Sequence, residues 1–151
     1  MGTEQAIAID GVSSHLPFVL AYGGGGHMKE FSFLIGNCPG ALVEMAMQLK
    51  KDQVNIEGIA GLTVLDEGVI SLVTDNPDVT RKLLKELEID FEEREALVMD
   101  LPHHPGEIST LLGRLKEDHI NVLSVYAGVE KNKLIFTVDD VDKTKQILRM
   151  E

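Results

Sequence analysis

The chain has 151 residues, an apolar fraction of 44% and a formal net charge of −11 at pH 7. A chain of this length accommodates one domain or two small ones with a sizeable core. The acidic balance predicts no nucleic acid and no membrane among its partners, because both select clustered basic residues.

No feature of the sequence indicates secretion. No apolar run is long enough to span a bilayer, and no basic region precedes the first apolar residues, so neither an anchor nor a signal peptide is expected. Cys38 is the only cysteine, so an intramolecular disulfide cannot form. These features together predict a cytoplasmic protein.

The first 28 residues differ in character from the rest. Glycines 23–26 form a linker and are followed by His27 and Met28, a pair typical of a cloning junction. We interpret residues 1–28 as an added tail, with Met28 as the natural start. The alternative is a tethered peptide whose apolar stretches, 6–9 and 16–22, pair with an exposed sheet edge or dock on a partner.

Residues 29–94 predict a βαββαβ unit. Apolar alternation predicts a strand over 29–36, and an apolar stripe of Leu42, Met45, Ala46 and Leu49 predicts a helix ending at Lys51. An extended segment from Val54, with breaks at Gly61 and at 66–68, and a strand over 69–74 predict a hairpin. A helix capped by Asp75 or Asn76 follows, with an inner face of Val79, Leu83, Leu84 and Leu87, and then a short strand over 91–94.

Residues 95–151 repeat this unit. A constant shift carries Pro39 and Gly40 onto Pro105 and Gly106, and Asn55 onto Asn121. The repeat predicts strands over 96–101, 120–126 and 134–138, a turn at 131–133, a helix stripe of Ile108, Leu111, Leu112 and Leu115, and a last helix capped by Asp139 or Asp140 with Val141, Ile147 and Leu148 inward.

The expected fold class is α+β, with two ferredoxin-like βαββαβ units and antiparallel sheets. The second unit is expected to lack its last strand, because no strand pattern follows the last predicted helix. The corresponding position in its sheet is expected to be either empty or filled by another segment, for which the N-terminal extension and a second subunit are the candidates. Small sheets with open edges also predict a homodimer or a larger homo-oligomer.

The most specific motif is the loop before each predicted first helix. Asn37-Cys38-Pro39-Gly40-Ala41-Leu42 is similar to the Asn/Asp-x-Pro-Gly-x-Leu loop of the ACT domain, and residues 29–149 resemble free-standing proteins made of two ACT units in tandem. The positions of Asn55 and Asn121 also match. The resemblance implies a non-catalytic regulatory protein that binds a small ligand, often an amino acid, between facing units, with Asn37, Gly40, Ala41 and Leu42 in the site.

The chemistry of this loop suits a free amino acid. A carboxylate is favoured at the helix N-terminus near Gly40, the side chain of Asn37 would accept from the ammonium, and Leu42 would form an apolar wall. Ile59 and Val125 are further candidates for that wall, although core packing is the favoured interpretation of both. Cys38 belongs to the same loop, and the corresponding candidates of the second loop are His104, Gly106, Glu107 and Ile108.

The two loops are not equivalent. His103 and His104 stand where the first loop has Asn37 and Cys38, so the ligand-binding prediction rests on the first loop. Cys38 beside a helix start is a candidate nucleophile, but no histidine and acid are spaced to form a relay with it. Adjacent histidines chelate a metal poorly, because their side chains point to opposite faces of an extended chain.

Three function classes therefore remain open. The leading one is an amino-acid-responsive regulatory protein with no catalytic residue, metal or cofactor. The second is a regulatory subunit of a biosynthetic enzyme that has no ligand of its own. The third is an enzyme that depends on Cys38.

Overall fold

The computed structural model describes residues 28–36, 38–102, 104–127 and 132–150. The predictions for residues 1–27, Asn37, His103 and Lys131 lie outside the described residues. The described elements are β1 (Lys29–Gly36), α1 (Ala41–Lys51), β2 (Ile56–Val64), β3 (Glu67–Thr74), α2 (Pro77–Glu86), β4 (Phe91–Glu95), β5 (Leu97–Asp100), α3 (Glu107–Glu117), β6 (Val122–Ala127), β7 (Lys133–Val138) and α4 (Val141–Leu148).

The strands form two antiparallel sheets. The first sheet has the order β2-β3-β1-β4 and the second has the order β5-β7-β6. We call β1 to β4 with α1 and α2 the first unit, and β5 to β7 with α3 and α4 the second unit. The described part of the second sheet has no strand at the position that β4 holds in the first. The predicted α+β fold with ferredoxin-like units is therefore confirmed.

Each sheet buries one face under its own two helices. In the first unit, Phe31 of β1 and Leu72 of β3 pack with Leu49 of α1 and Leu84 of α2. In the second unit, strand residues Met99 and Phe136 pack in the same way with helix residues, which are Leu111, Leu115 and Leu148. Both cores combine one strand face with one helix stripe, as the apolar periodicity predicts.

The predicted helix stripe is only half buried. Met45 and Leu49 of α1 lie in the core, but Leu42 and Ala46 are exposed. The reason is that β2 is an edge strand, so the flank of α1 on that side has no neighbouring element to cover it. Leu87 is also exposed, because it lies past the end of α2. The stripe of α3 divides in the same way into Leu111 and Leu115, which are buried, and Ile108 and Leu112, which are exposed.

The predicted break at Gly61 is wrong, whereas the break predicted at 66–68 overlaps the turn between β2 and β3. β2 runs through Gly61 and pairs it with Ile70 of β3, and the chain turns only after Val64. A Cβ at Gly61 would lie 3.3 Å from the Cδ1 atom of Ile70. The glycine therefore permits a close approach between two strands rather than ending one.

Two asparagines, each just before an edge strand, form hydrogen bonds with an aspartate just after the neighbouring strand. These strands are β2 and β3 in the first unit and β6 and β7 in the second. The backbone and side-chain N–H groups of Asn55 donate to the two carboxylate oxygens of Asp75, each at 2.9 Å. Asn121 makes the same pair of bonds to Asp139, at 3.0 and 2.9 Å. Since these aspartates are engaged, the residues after them cap the next helices. Asn76 accepts from the N–H of Val79 at 3.2 Å, and Asp140 from that of Lys143 at 3.0 Å.

The hydrogen bonds from Asn121 hold the pKa of Asp139 below its ordinary value. A carboxylate with a lower pKa in the folded state stabilises the fold above its unfolded pKa, about 4, and this contribution is lost as the pH falls through the folded pKa. We expect Asp139→Asn to lower the free energy of unfolding at neutral pH and to change it little in strong acid. Urea denaturation at both pH values checks this. An equal difference in the free energy of unfolding between the wild type and the variant at both pH values would contradict it.

Candidate ligand site

The two loops before α1 and α3 have the same backbone conformation. Gly40 has φ 95° and ψ −14°, and Gly106 has φ 95° and ψ −15°. The N–H of Cys38 donates to the carbonyl of Gly36 at 2.9 Å, and the N–H of His104 donates to that of Pro102, also at 2.9 Å. The loop geometry was therefore duplicated together with the unit.

Gly40 is required by its backbone conformation and not by crowding. Its positive φ is one that other residues adopt only with strain, whereas a Cβ at Gly40 would meet nothing within 4 Å. Cys38, Pro39 and Gly40 are exposed, and the N-cap residue Gly40 has no side chain that could bond to the first-turn N–H groups of α1. The loop thus presents an open helix N-terminus, where backbone N–H groups favour an anion.

The second helix start carries two hydroxyl groups that the first lacks. The hydroxyl groups of Ser109 and Thr110 donate to the carbonyl of Gly106, at 2.7 and 3.0 Å. The first unit has Val43 and Glu44 at the corresponding positions. His104 is exposed, and Glu107 is half-buried at the start of α3. The two loops therefore share a shape and differ in polarity.

Exposed apolar residues continue from the first loop onto the neighbouring elements. Leu42, Val43 and Met47 of α1 are exposed, and Ala41 is half-buried. Ile59 lies on β2 opposite the core residue Leu72 and is 47% exposed. Ile108, Leu112 and Val125 form the corresponding exposed surface of the second unit.

The favoured core assignment of Ile59 and Val125 is wrong. Val125 is 49% exposed, nearly the same as Ile59, because β6 and β2 are both edge strands. An apolar residue on the helix side of an edge strand is covered only if a further element lies beside it. Both residues are therefore available as part of an apolar wall.

Groups relevant to catalysis or metal binding are dispersed in the described chain. Cys38 is a free, exposed thiol. Among the described residues, no three His, Cys, Asp or Glu side chains come together as a metal site. None of the described helices has the length and apolarity to cross a membrane.

Sequence reasoning missed a buried polar cluster between the two units. Glu30 of β1 is only 1% exposed. The hydroxyl of Tyr126 donates to its Oε2 atom at 2.5 Å, and the hydroxyl of Ser124 donates to the same oxygen. Burial raises the pKa of Tyr126, and the neighbouring carboxylate of Glu30 raises it further. The sequence signal was the alternation of Glu30 and Ser32 with Phe31 and Phe33, which places the polar pair on the face away from the helices.

The fold and the repeated loop define a duplicated ferredoxin-like protein. The sequence matches the family described as ACT domain pair over residues 27–151. This match spans most of the chain, and the protein belongs to the ACT domain pair family. No curated protein matches the sequence.

Solved structures with the same fold include several regulatory domains. Protein BT0572 from Bacteroides thetaiotaomicron is 22% identical, with a TM-score of 0.73 over 80% of this chain and 85% of that chain. The regulatory subunit of aspartate kinase from Thermus thermophilus, in a ligand-free form, is 11% identical, with a TM-score of 0.65 over 82% and 89%. Aspartokinase III of E. coli, in complex with lysine and aspartate, is 19% identical, with a TM-score of 0.53 over 82% and 30%.

Substitution by alanine is expected to lower the free energy of unfolding at the two loop glycines and to raise it at a glycine inside a helix. Gly40→Ala and Gly106→Ala should each lower the free energy of unfolding by about 1 to 2 kcal/mol, because alanine is strained at this φ. Gly113 lies inside α3, where a Cβ would meet nothing within 4 Å. Gly113→Ala should therefore raise it by about 0.8 to 1 kcal/mol. Chemical denaturation measures all three, and a shared sign would contradict the assignment.

Proposed function

We propose that this protein is a non-catalytic regulatory protein of the cytoplasm that binds a free amino acid at the first loop. The observation that carries the proposal is the exposed start of α1 at Gly40, an N-cap residue without a side chain, which adjoins exposed apolar residues in an ACT domain pair. The proposal divides the chain into a tail over 1–28, an ACT unit over 29–94 and a second over 95–151.

Each part of an amino acid has a proposed partner at this loop. In the first turn of α1, the N–H groups of Ala41 and Glu44 already donate to backbone carbonyls. The ligand carboxylate therefore accepts from the N–H groups of Leu42 and Val43, an interaction with the helix dipole worth about 0.3 to 1 kcal/mol. Asn37 is the proposed acceptor for the ammonium. Leu42 and Ile59 provide the apolar wall, since both are exposed on the helix side of the first unit.

The ligand class has separate support from the structural comparisons. The E. coli aspartokinase III neighbour is a complex with lysine and aspartate. The Thermus thermophilus neighbour is a regulatory subunit in a ligand-free form. Amino acids are therefore the first ligands to test, and the choice among the twenty is left to the screen.

A second copy of the chain is the proposed cover for the edge of the first sheet. β2 lies at that edge, and Leu62 on it is 66% exposed. Long apolar edges pair with other strands, and continuous apolar patches mark interfaces. The exposed apolar residues that a homodimer would cover are Ile56, Ile59, Leu62 and Val64 of β2 with Leu42, Val43 and Met47 of α1.

The sequence of β2 suits antiparallel pairing with itself around Ala60. This register sets Ile59 opposite Gly61 of the partner subunit and Leu62 opposite Gly58 of the partner subunit, so that each bulky side chain meets a glycine. In the same twofold arrangement, the acidic first turn of α1 faces the basic last turn of the other α1. The facing copy then closes the ligand site.

A thermal-shift screen of the twenty amino acids tests the ligand. At least one should raise the melting temperature, because a ligand that binds only the folded state stabilises it. Gly40→Asp should abolish binding in calorimetry, since it adds a negative charge where the ligand carboxylate lies. Gly106→Asp carries the same backbone strain in the second loop and should keep the affinity. Unchanged binding by Gly40→Asp would overturn the site.

Leu62→Arg tests the proposed dimer. A buried, unpaired charge at the centre of the interface should shift the protein from dimer to monomer in analytical ultracentrifugation. Leu87→Arg places the same charge on another exposed leucine, after α2, and should leave the dimer intact. A wild-type monomer, or a dimer that both variants retain, would refute pairing through β2.

The second candidate is a regulatory subunit of a biosynthetic enzyme that has no ligand of its own. The fold shared with the aspartate kinase regulatory subunit of Thermus thermophilus favours it. A flat amino-acid screen would favour this candidate over the first, whatever the oligomeric state.

A further inference from the structure

The two units contact each other through the sheet faces that point away from the helices. Val73 of the first sheet, Ile135 of the second and Ala96 between them form a buried apolar cluster at this junction. A Cβ at Gly58 would lie 3.3 Å from the Cδ1 atom of Tyr126, so β2 and β6 are closely apposed. The ion pair of Lys133 with Glu57, at 3.2 Å, also joins the units.

One carboxylate lies inside this junction and depends on both units for its hydrogen bonds. The second unit supplies the hydroxyl groups of Tyr126 and Ser124, which both donate to Glu30 Oε2. The first unit supplies the hydroxyl of Ser32, which donates to Oε1 at 3.5 Å, and Arg94, whose Nη1 atom lies 3.7 Å from Oε1. The Oε2 atom of Glu30 thus accepts hydrogen bonds from the second unit.

The observed stacking of the sheets gives this carboxylate two hydroxyl donors from the second unit. A buried charge is strongly unfavourable unless it is paired or hydrogen-bonded. A displacement of the second sheet by one strand spacing, about 4.8 Å, would carry both hydroxyl groups out of reach. Glu30 would then retain Ser32 and Arg94 of its own unit and lose both donors to Oε2. Apolar contacts alone would not carry the cost of an unpaired buried charge when the sheets shift, because one aliphatic side chain can pack in the place of another.

We propose that Glu30 selects a single placement of the two units relative to each other. The selection depends on the hydrogen bonds that Tyr126 and Ser124 of the second unit donate to its carboxylate. Buried polar groups are known to fix register in this way in coiled coils. In this protein the consequence is a fixed geometry between the first loop and the second loop. Glu30 is a positioning residue and takes no part in ligand contact.

Distances between spin labels on α1 and α3 test the proposal. Lys50→Cys and Lys116→Cys place labels at exposed positions of the two helices, in a Cys38→Ser background. Dilution with unlabelled protein restricts the electron-spin-resonance signal to distances within one chain. The protein with Glu30 should show one population of label-to-label distances. Glu30→Met, which keeps the side-chain volume and removes the carboxylate, should show several distances in its place.

Two further variants make the outcome decisive. Glu93→Met removes a carboxylate whose partner Arg81, at 2.8 Å, lies in the same unit, and it should keep the single population. Tyr126→Phe combined with Ser124→Ala removes the donors from the second unit and should reproduce the loss, which decides the matter if Glu30→Met does not fold. Loss of stability alone lowers the melting temperature without adding a distance. A single unchanged population in the donor variant would overturn the proposal.

Discussion

The burial of Glu30 between two sheets is the constraint on which the arrangement of this protein depends. Each sheet has a core of its own beneath its helices. They meet through their second faces, and the carboxylate there is satisfied by hydroxyl groups from the other unit. The charge therefore converts a general preference for apolar contact into one specific placement.

Duplication preserved the backbone and changed the chemistry. Gly40 and Gly106 have the same left-handed conformation, and the clamps from Asn55 and Asn121 recur with nearly equal distances. The residues that follow each loop glycine diverged. In the second loop the hydroxyl groups of Ser109 and Thr110 donate to the carbonyl of Gly106, whereas the first unit has Val43 and Glu44 at these positions. One unit of an ACT domain pair is thus proposed to bind a ligand while the other provides structure.

Local signals in the sequence were sufficient for the elements and for the loop. Three features can be recognised from the order of residues along the chain: the apolar alternation in β1, the Pro-Gly pair before α1 and α3, and the internal repeat. The structure contains the strand, the loops and the two similar units that these features predict. The errors concern neighbours in space. The sequence around Gly61 predicts a break, but the contact of Gly61 with Ile70 comes from another strand. The periodicity around Ile59 predicts a core position, because periodicity does not reveal that a strand lies at the edge of its sheet.

The sequence by itself determined the α+β class, the duplication, the ACT loop and its candidate residues, since all of these are written in spacing and residue type. Only the tertiary structure decided that Leu42 and Ile59 are exposed, that Asn55 and Asn121 are clamps, and that Glu30 is buried. The physical reason is that burial depends on which face of each sheet is covered. The cover for β1 is β6, which lies in the other half of the chain.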